Sequence, residues 1–426
     1  MKHVWLFVIG LAVAGSTFAE WEIQYPRDEI QPTFAVAKNR GRGGRVAHVI
    51  IDTSEFGQQG SWTRRFSVNG GKHYSFEAWR RAINIDQPRR SCSVKITWQN
   101  DKGQLVNSRG GADKARPVFP ADRETKDGWT RIADRYSAPK DATKALVELE
   151  LRWAPGGEVG WSDISFTEVA AAASRKVRLA GVHFRPRGKK TPDENRKLFV
   201  PLIAKAAKQR ADLVCLPECL TYCGTGLTYA QCAERVPGPS TKFFGDLSKK
   251  HKLYIVSGIL ERDGRAVYNT AVMTGPDGKL VGKYRKVCLP REEIKGGITP
   301  GKTYPVFNTR FGKVGMMICW DVHFPEVARG LSNNGAEVIA MPIWGGMSTL
   351  AKARAIENQI YLVTSTYTDH NSDWMKTAVF DPEGELLVQA TEWGTVVVAE
   401  VDLDDHKEFR YIGDFRSRIP RERPAD

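Results

Sequence analysis

From Trp21 to about Thr167 apolar residues recur at every second position, as in Val94, Ile96 and Trp98 and again in Ala145, Val147, Leu149, Leu151 and Trp153. A side-chain period of two puts such residues on one face of half-buried strands. Asn69-Gly70-Gly71, Asp101-Lys102-Gly103 and Ala154-Pro155-Gly156-Gly157 punctuate the runs with turn chemistry, and hairpins are the simplest connection. No helical period of useful length interrupts the pattern. It predicts an all-β, antiparallel sandwich over residues 20–168, with Trp79, Trp98 and Trp153 assigned mostly to its core.

The alanine-rich stretch at 169–176 lacks apolar periodicity and reads as a linker. Beyond it, short apolar runs at Val177–Phe184, Ala211–Leu216, Leu253–Leu260, Val314–Cys319, Val338–Ile343 and Tyr361–Tyr367 suit buried strands separated by helices. Thr191-Pro192-Asp193-Glu194 is a capping-box start, and Leu198, Phe199, Leu202, Ile203 and Ala206 follow on one face. Pro201 predicts a kink or a late start. Residues 177–404 therefore form an α/β domain, with an extension over 405–426.

The chain has 426 residues, 41% of them hydrophobic, which is enough for two cores and excludes a disordered or fibrous protein. Met1-Lys2-His3, an apolar run from Val4 to Ala14 and the small-residue site Thr17-Phe18-Ala19 predict a signal peptide over residues 1–19. The run is too short to span a bilayer, so the mature protein is expected to be periplasmic or secreted, without a membrane span. A net charge of +14 fits an anionic polysaccharide better than nucleic acid once export is assumed. Seven cysteines leave at least one thiol unpaired within a chain. Cys215, Cys219, Cys223 and Cys232 lack a CxxC pair and a suitably spaced histidine, so core or disulfide roles are expected in place of a metal site.

Polar residues at the ends of buried strands are where α/β layers build their chemistry. Glu218 follows Leu216-Pro217, Lys286 follows Tyr284-Arg285, and Cys319 closes Met316-Met317-Ile318. Taken singly, these are a cap, a solvated lysine and a core thiol. Together they supply a nucleophile, a base that can take its proton, and a cation for an oxyanion.

These residues carry a resemblance to the nitrilase superfamily of carbon-nitrogen hydrolases, whose hallmark is a Glu-Lys-Cys triad in that order. Leu216-Pro217-Glu218, Tyr284-Arg285-Lys286-Val287-Cys288-Leu289-Pro290 and Cys319-Trp320-Asp321-Val322-His323-Phe324-Pro325-Glu326 fit its motifs. So do Thr299-Pro300-Gly301 and Arg354-Ala355-Ile356-Glu357-Asn358. The resemblance implies a four-layer α-β-β-α sandwich that pairs as a homodimer or higher oligomer, with the tail around Tyr411–Arg418 extended toward that interface. It implies no metal or organic cofactor. It assigns Glu218 as acid and base, Lys286 and the Trp320 backbone N–H as the oxyanion site, Cys319 as nucleophile, and Glu293 or Glu292 as a second carboxylate.

Tyr222, His323, Phe324 and Trp344 are substrate-side candidates. The stretch after Cys319 is similar to the aliphatic-amidase and carbamoyl-amidase versions of the family, whereas its true nitrilases tend to place glutamate after Cys-Trp, so Asp321 implies a small amide or carbamoyl substrate, glycan-linked or free, over a nitrile. Nitrile hydrolysis, acyl transfer and a glycan-binding protein with an inactive hydrolase fold are the alternatives. The first region resembles the jelly-roll modules of secreted carbohydrate-active enzymes, through Lys72–Trp79, Gly128-Trp129-Thr130 and Trp161–Phe166. Whether it binds glycan or only packs stays open at the level of sequence.

Overall fold

The computed structural model describes residues 21–108, 114–369, 371–405 and 413–423. The leader at 1–19 lies outside the described residues, as do Tyr411 and Ile412 of the tail. Two compact units emerge: residues 21–171 together with 413–423, and residues 172–405.

The first unit contains β1 (Glu22–Gln24), β2 (Thr33–Ala37), β3 (Ala47–Ile51), β4 (Gln59–Ser67), β5 (His73–Ile83), the short helix α1 (Pro88–Ser91), β6 (Val94–Gln99), β7 (Ala121–Lys126), β8 (Trp129–Ser137), β9 (Lys144–Arg152) and β10 (Glu158–Val169). The strands form two antiparallel sheets, ordered β1-β4-β9-β6 and β2-β3-β10-β5-β8-β7. Only β2–β3 and β7–β8 join neighbours in sequence. The chain otherwise crosses between sheets, so the simple hairpin series expected from the turns is not what forms. A crossing chain lets both sheets turn apolar faces onto one core, where Phe76, Ile96, Leu149 and Trp161 are buried.

The period-two reading holds through Leu151 and fails at the next inward position. Trp79 and Trp98 are buried, whereas Trp153 is 54% exposed. Its φ of +55° lies in the left-handed region, where the direction of the chain changes and the side chain no longer follows the strand's alternation.

In the second unit the sequence alternates β11 (Lys176–His183), α2 (Pro192–Leu198), α3 (Val200–Lys208), β12 (Leu213–Cys215), α4 (Tyr229–Cys232), α5 (Pro239–His251), β13 (Tyr254–Asp263), β14 (Ala266–Thr274), β15 (Leu280–Arg285) and α6 (Arg291–Lys295). It continues with β16 (Val306–Asn308), β17 (Lys313–Met316), α7 (Pro325–Asn333), β18 (Val338–Pro342), α8 (Ser348–Asn358), β19 (Tyr361–Ser365), β20 (Ala378–Phe380), β21 (Leu386–Gln389) and β22 (Thr395–Asp402). The sheets are ordered β15-β14-β13-β12-β11-β22 and β16-β17-β18-β19-β20-β21. Each has three parallel strands at its heart, β11-β12-β13 and β17-β18-β19, extended by antiparallel neighbours.

The sheets face each other through a continuous apolar core that includes Leu179, Val256, Met316 and Val363. Helices α3 and α5 cover the outer face of one sheet and α7 and α8 cover that of the other, giving the four-layer α-β-β-α sandwich. The capping box at Thr191 is present, and the helix it starts breaks at Phe199, where Pro201 opens α3. All seven thiols are free, five of them buried. The described part of the tail forms helix α9 (Phe415–Glu422). It packs on α1 of its own chain, in place of the extended arm expected. No helix among the described residues is long and apolar enough to cross a membrane.

Candidate active site

The carboxyl ends of strands in both sheets gather the site. Glu218 lies just past β12, Lys286 directly follows β15, and Trp344 sits two residues beyond β18. Cys319 does not end a strand: β17 stops at Met316, and Cys319 opens a 3-10 turn through His323. Its φ is +45°, as is that of Cys219 beside Glu218. A side chain bearing Cβ is uncommon there and is held by its surroundings, so both the thiol and the carboxylate sit on tightly constrained corners.

What constrains them is explicit. The loop after Glu218 is pinned by the buried amide of Asn195, whose Nδ2 donates to the carbonyls of Leu220 (3.0 Å) and Cys223 (2.8 Å). Tyr367 donates its hydroxyl to the Glu218 carbonyl at 2.6 Å. On the other side Asp321 accepts from the Ile318 N–H (2.9 Å), the Tyr284 hydroxyl (2.7 Å) and the Cys288 N–H (2.8 Å). One carboxylate thus closes the nucleophile's turn and ties it to the segment carrying Lys286.

Lys286 is 1% exposed, and its Nζ donates to Glu218 Oε1 at 2.8 Å and Glu293 Oε1 at 2.6 Å. Asn269, from the middle of β14, spans the same pair: its Nδ2 lies 2.7 Å from Glu218 Oε1 and 3.1 Å from Glu293 Oε1. The Trp344 N–H donates to Glu218 Oε2 at 2.9 Å. Cys319 is half-buried, bonded to neither a partner thiol nor a metal ligand set, with its Sγ 3.9 Å from the Gly345 carbonyl. Glu292 is exposed while its neighbour is buried in α6, so the geometry brings Glu293 into the cluster and leaves Glu292 out.

The electrostatics follow from two carboxyls around one ammonium. Burial lifts the Cys319 thiol well above its ordinary range and the Glu218 charge lifts it further, with Lys286 opposing. The resting sulfur is therefore protonated and needs a base at hand. Burial pushes Glu293 up to about 7, with Lys286 pulling down and Glu218 pushing up. For Lys286 burial disfavours the charge, but Glu218, Cys319 and Glu293 together hold the ammonium well above the usual lysine value.

The remaining candidates are spread around the cluster. Tyr222 packs on Tyr229, ring centres 4.7 Å apart. His323 lies against Trp320 at 4.2 Å, and burial, with the Arg354 charge beside it, lowers its imidazole below the usual histidine range. Phe324 and Trp320 are exposed, and Trp344 meets Tyr367 edge-on at 4.9 Å. Sequence reasoning missed Asn269, Tyr367 and Asn195. An asparagine in the mostly apolar strand Ala266–Thr274 was the available signal, since a buried amide needs partners.

Among the described residues no group of three or more His, Cys, Asp or Glu could hold a metal ion.

The carbon-nitrogen hydrolase family profile matches residues 176–411. Omega-amidase NIT2-A of Xenopus laevis is 34% identical over 274 residues, covering 59% of this chain and 96% of the relative. A nitrilase of Pyrococcus abyssi is 38% identical over 242 residues, covering 53% and 90%. The crystal structure of Saccharomyces cerevisiae Nit3, of the nitrilase superfamily, overlays with a TM-score of 0.48 at 28% identity, covering 55% of this chain and 93% of that one. The profile spans more than half of the chain and the Xenopus relative is matched over nearly its whole length: the chain belongs to the carbon-nitrogen hydrolase family and is a hydrolase of C–N bonds.

Proposed function

We propose that the chain is an exported thiol amidase that cleaves a small amide or carbamoyl compound through a thioester on Cys319. The observation that carries this reading is the buried Lys286 ammonium, held between Glu218 and Glu293 beside the Cys319 thiol. Glu218 takes the thiol proton as sulfur attacks the carbonyl carbon. Lys286 and the Trp320 N–H receive the oxyanion. Glu218 returns the proton to the departing ammonia or amine, then draws one from the water that hydrolyses the thioester. Asn269 and Glu293 keep Lys286 and Glu218 aligned, and Glu293 Oε2 has no hydrogen-bond partner among the described residues, leaving it for the leaving group or water.

Relatives named omega-amidases support a terminal amide as substrate. The run Val4–Ala14 followed by Thr17-Phe18-Ala19 supports export. N-terminal sequencing of protein recovered outside the cytoplasm should begin at Glu20; a retained Met1 would contradict export.

Ammonia release from a panel of primary amides, carbamoyl compounds and nitriles, read beside Cys319→Ala, tests the chemistry. Release from an amide that falls by several orders of magnitude in the variant supports the proposal. Turnover confined to nitriles, or transfer of the acyl group to an added amine in place of hydrolysis, would replace it.

A further inference from the structure

Asn269 lies opposite Lys286 across β14 and the end of β15, where the Lys286 N–H donates to the Asn269 carbonyl at 2.9 Å. Its side chain is 1% exposed. Chemistry fixes which way the amide points: turned over, its oxygen would face two carboxylate oxygens, so Nδ2 is the atom 2.7 Å from Glu218 Oε1 and 3.1 Å from Glu293 Oε1. Oδ1 is then buried with no hydrogen-bond partner among the described residues. An unpaired buried oxygen costs stability, and an apolar side chain of the same size would avoid that cost. What the amide contributes therefore lies in its two N–H groups.

A carboxylate oxygen offers two lone pairs. Those of Glu218 Oε1 go to Lys286 Nζ at 2.8 Å and to Asn269 Nδ2, and those of Glu293 Oε1 go to the same two donors, Lys286 at 2.6 Å. Lys286 alone would leave one pair open on each Oε1, and a proton could settle there beside the ammonium. The outer oxygens are less occupied: Glu218 Oε2 accepts only the Trp344 N–H at 2.9 Å, and Glu293 Oε2 accepts none. With Asn269 in place, only the two Oε2 atoms have room for a proton.

We propose that Asn269 is a positioning residue that confines the proton of each carboxyl to Oε2, so that Glu218 acts as base through one oriented lone pair. The inference rests on the amidase reading for the step it serves: the Cys319 Sγ–H bond breaks, the proton bonds to Glu218 Oε2, and the electron pair left on sulfur attacks the carbonyl carbon. The same two N–H groups favour the ionised carboxyls over the protonated ones. Around the pair stand Lys286, the Cys219 and Cys319 thiols and the Tyr229 and Tyr367 hydroxyls. Burial raises both thiols and both phenols, and Lys286 keeps its charge. Of these groups only the two carboxyls change charge between about pH 4 and 8.

The rate at which iodoacetamide alkylates Cys319 tests this without a substrate, followed by mass spectrometry of the Cys319 peptide across that pH range in the full chain. Asn269→Leu keeps the volume and removes both donors, so the acid midpoint of alkylation should rise by about one pH unit. On that acid limb kcat/KM for a confirmed amide should fall about tenfold. Asn269→Asp, which matches the native shape and sets a third carboxyl against the pair, should move the midpoint further in the same direction, and it decides the matter should the leucine variant not fold. An unchanged or lowered midpoint, or alkylation lost at every pH as a purely structural residue would cause, would overturn the proposal. Failure of the amidase reading looks different: the midpoint moves as expected while no amide is hydrolysed by the wild type.

Discussion

The Asp321 carboxylate accepts the backbone N–H of Cys288 at 2.8 Å, joining the turn that begins at Cys319 to the segment that begins at Lys286. The nucleophile and the cation come from different sheets, so their separation is set by contacts of this kind and not by one rigid element. Asp321→Asn keeps the size of the side chain but sets an amide N–H against a backbone N–H. We expect kcat to fall by about a hundredfold with KM little changed, because misplacement on the order of 1 Å costs that much. Denaturant unfolding should show a loss of about 1–3 kcal/mol, the cost of unpairing buried groups. Wild-type kinetics in this variant would mean that the brace does not position the site.

Glu293 makes stability depend on pH in a predictable sense. Burial, against the pull of Lys286, holds its carboxyl at about 7 in the folded chain, above the ordinary 4.5. Between those values the folded state keeps a proton that the unfolded state releases. The group's contribution is therefore full below about pH 4.5 and is lost as pH rises through 7, a change on the order of 3 kcal/mol. Unfolding free energies of the wild type and Glu293→Gln, measured from pH 4 to 8, should diverge across this window. Parallel curves would contradict the assignment.

Behind the site, Glu261 is 1% exposed and accepts from Lys283 (2.5 Å), Arg285 (2.6 Å) and the Thr270 hydroxyl (3.0 Å). Thr270 and Arg285 adjoin Asn269 and Lys286 on β14 and β15, so this cluster clamps the two strands that deliver half of the catalytic cluster. Glu261→Gln removes the counter-charge of Lys283 and leaves Arg285 only that of the exposed Asp263 at 2.7 Å. Removal of one partner of a buried ionic cluster costs about 3–5 kcal/mol, and a comparable drop is expected in chemical denaturation. A loss below about 1 kcal/mol would show the cluster to be solvated.

Gly258 on β13 passes directly behind Glu218: an added Cβ would lie 2.6 Å from the Glu218 Cα and 2.8 Å from the Pro217 carbonyl oxygen. Backbone cannot yield as a side-chain tip can. Gly258→Ala should push the Glu218 corner outward, lowering turnover at least tenfold at a stability cost of about 1–3 kcal/mol. Full activity in a folded Gly258→Ala protein would show that the corner tolerates displacement.

Much of this was legible in the amino-acid order because it rests on local chemistry. Alternating and continuous apolar runs separate a sandwich from a layered α/β unit, and the Thr191 capping box marks its helix start directly. Glu218 and Cys319 stand out because each follows an apolar run, whereas Lys286 sits in a basic stretch and is marked only by its resemblance to the family motif. What stayed hidden depends on contacts distant in sequence. Asn269 lies 51 residues from Glu218, and nothing near it announces the partner. Glu292 and Glu293 differ only in which face of a five-residue helix turns inward. Trp153 continues the strand's alternation in sequence, and only its backbone conformation takes it out of the core. The tail was misread for the same reason, since α9 is settled by its packing on α1 and not by its own short and polar sequence.

The account's central claim is that Cys319 carries the acyl group while Glu218 moves the protons. Mass spectrometry of Glu218→Gln after exposure to an activated aryl ester of a confirmed substrate's acyl group tests it most directly. The aryloxide leaves without a proton from Glu218, so acylation outpaces the deacylation that needs Glu218 as base, and the account predicts an added acyl mass on the peptide that contains Cys319, absent in Glu218→Gln/Cys319→Ala. Adduct on another residue, or full turnover in Glu218→Gln with no trapped acyl group, would contradict it.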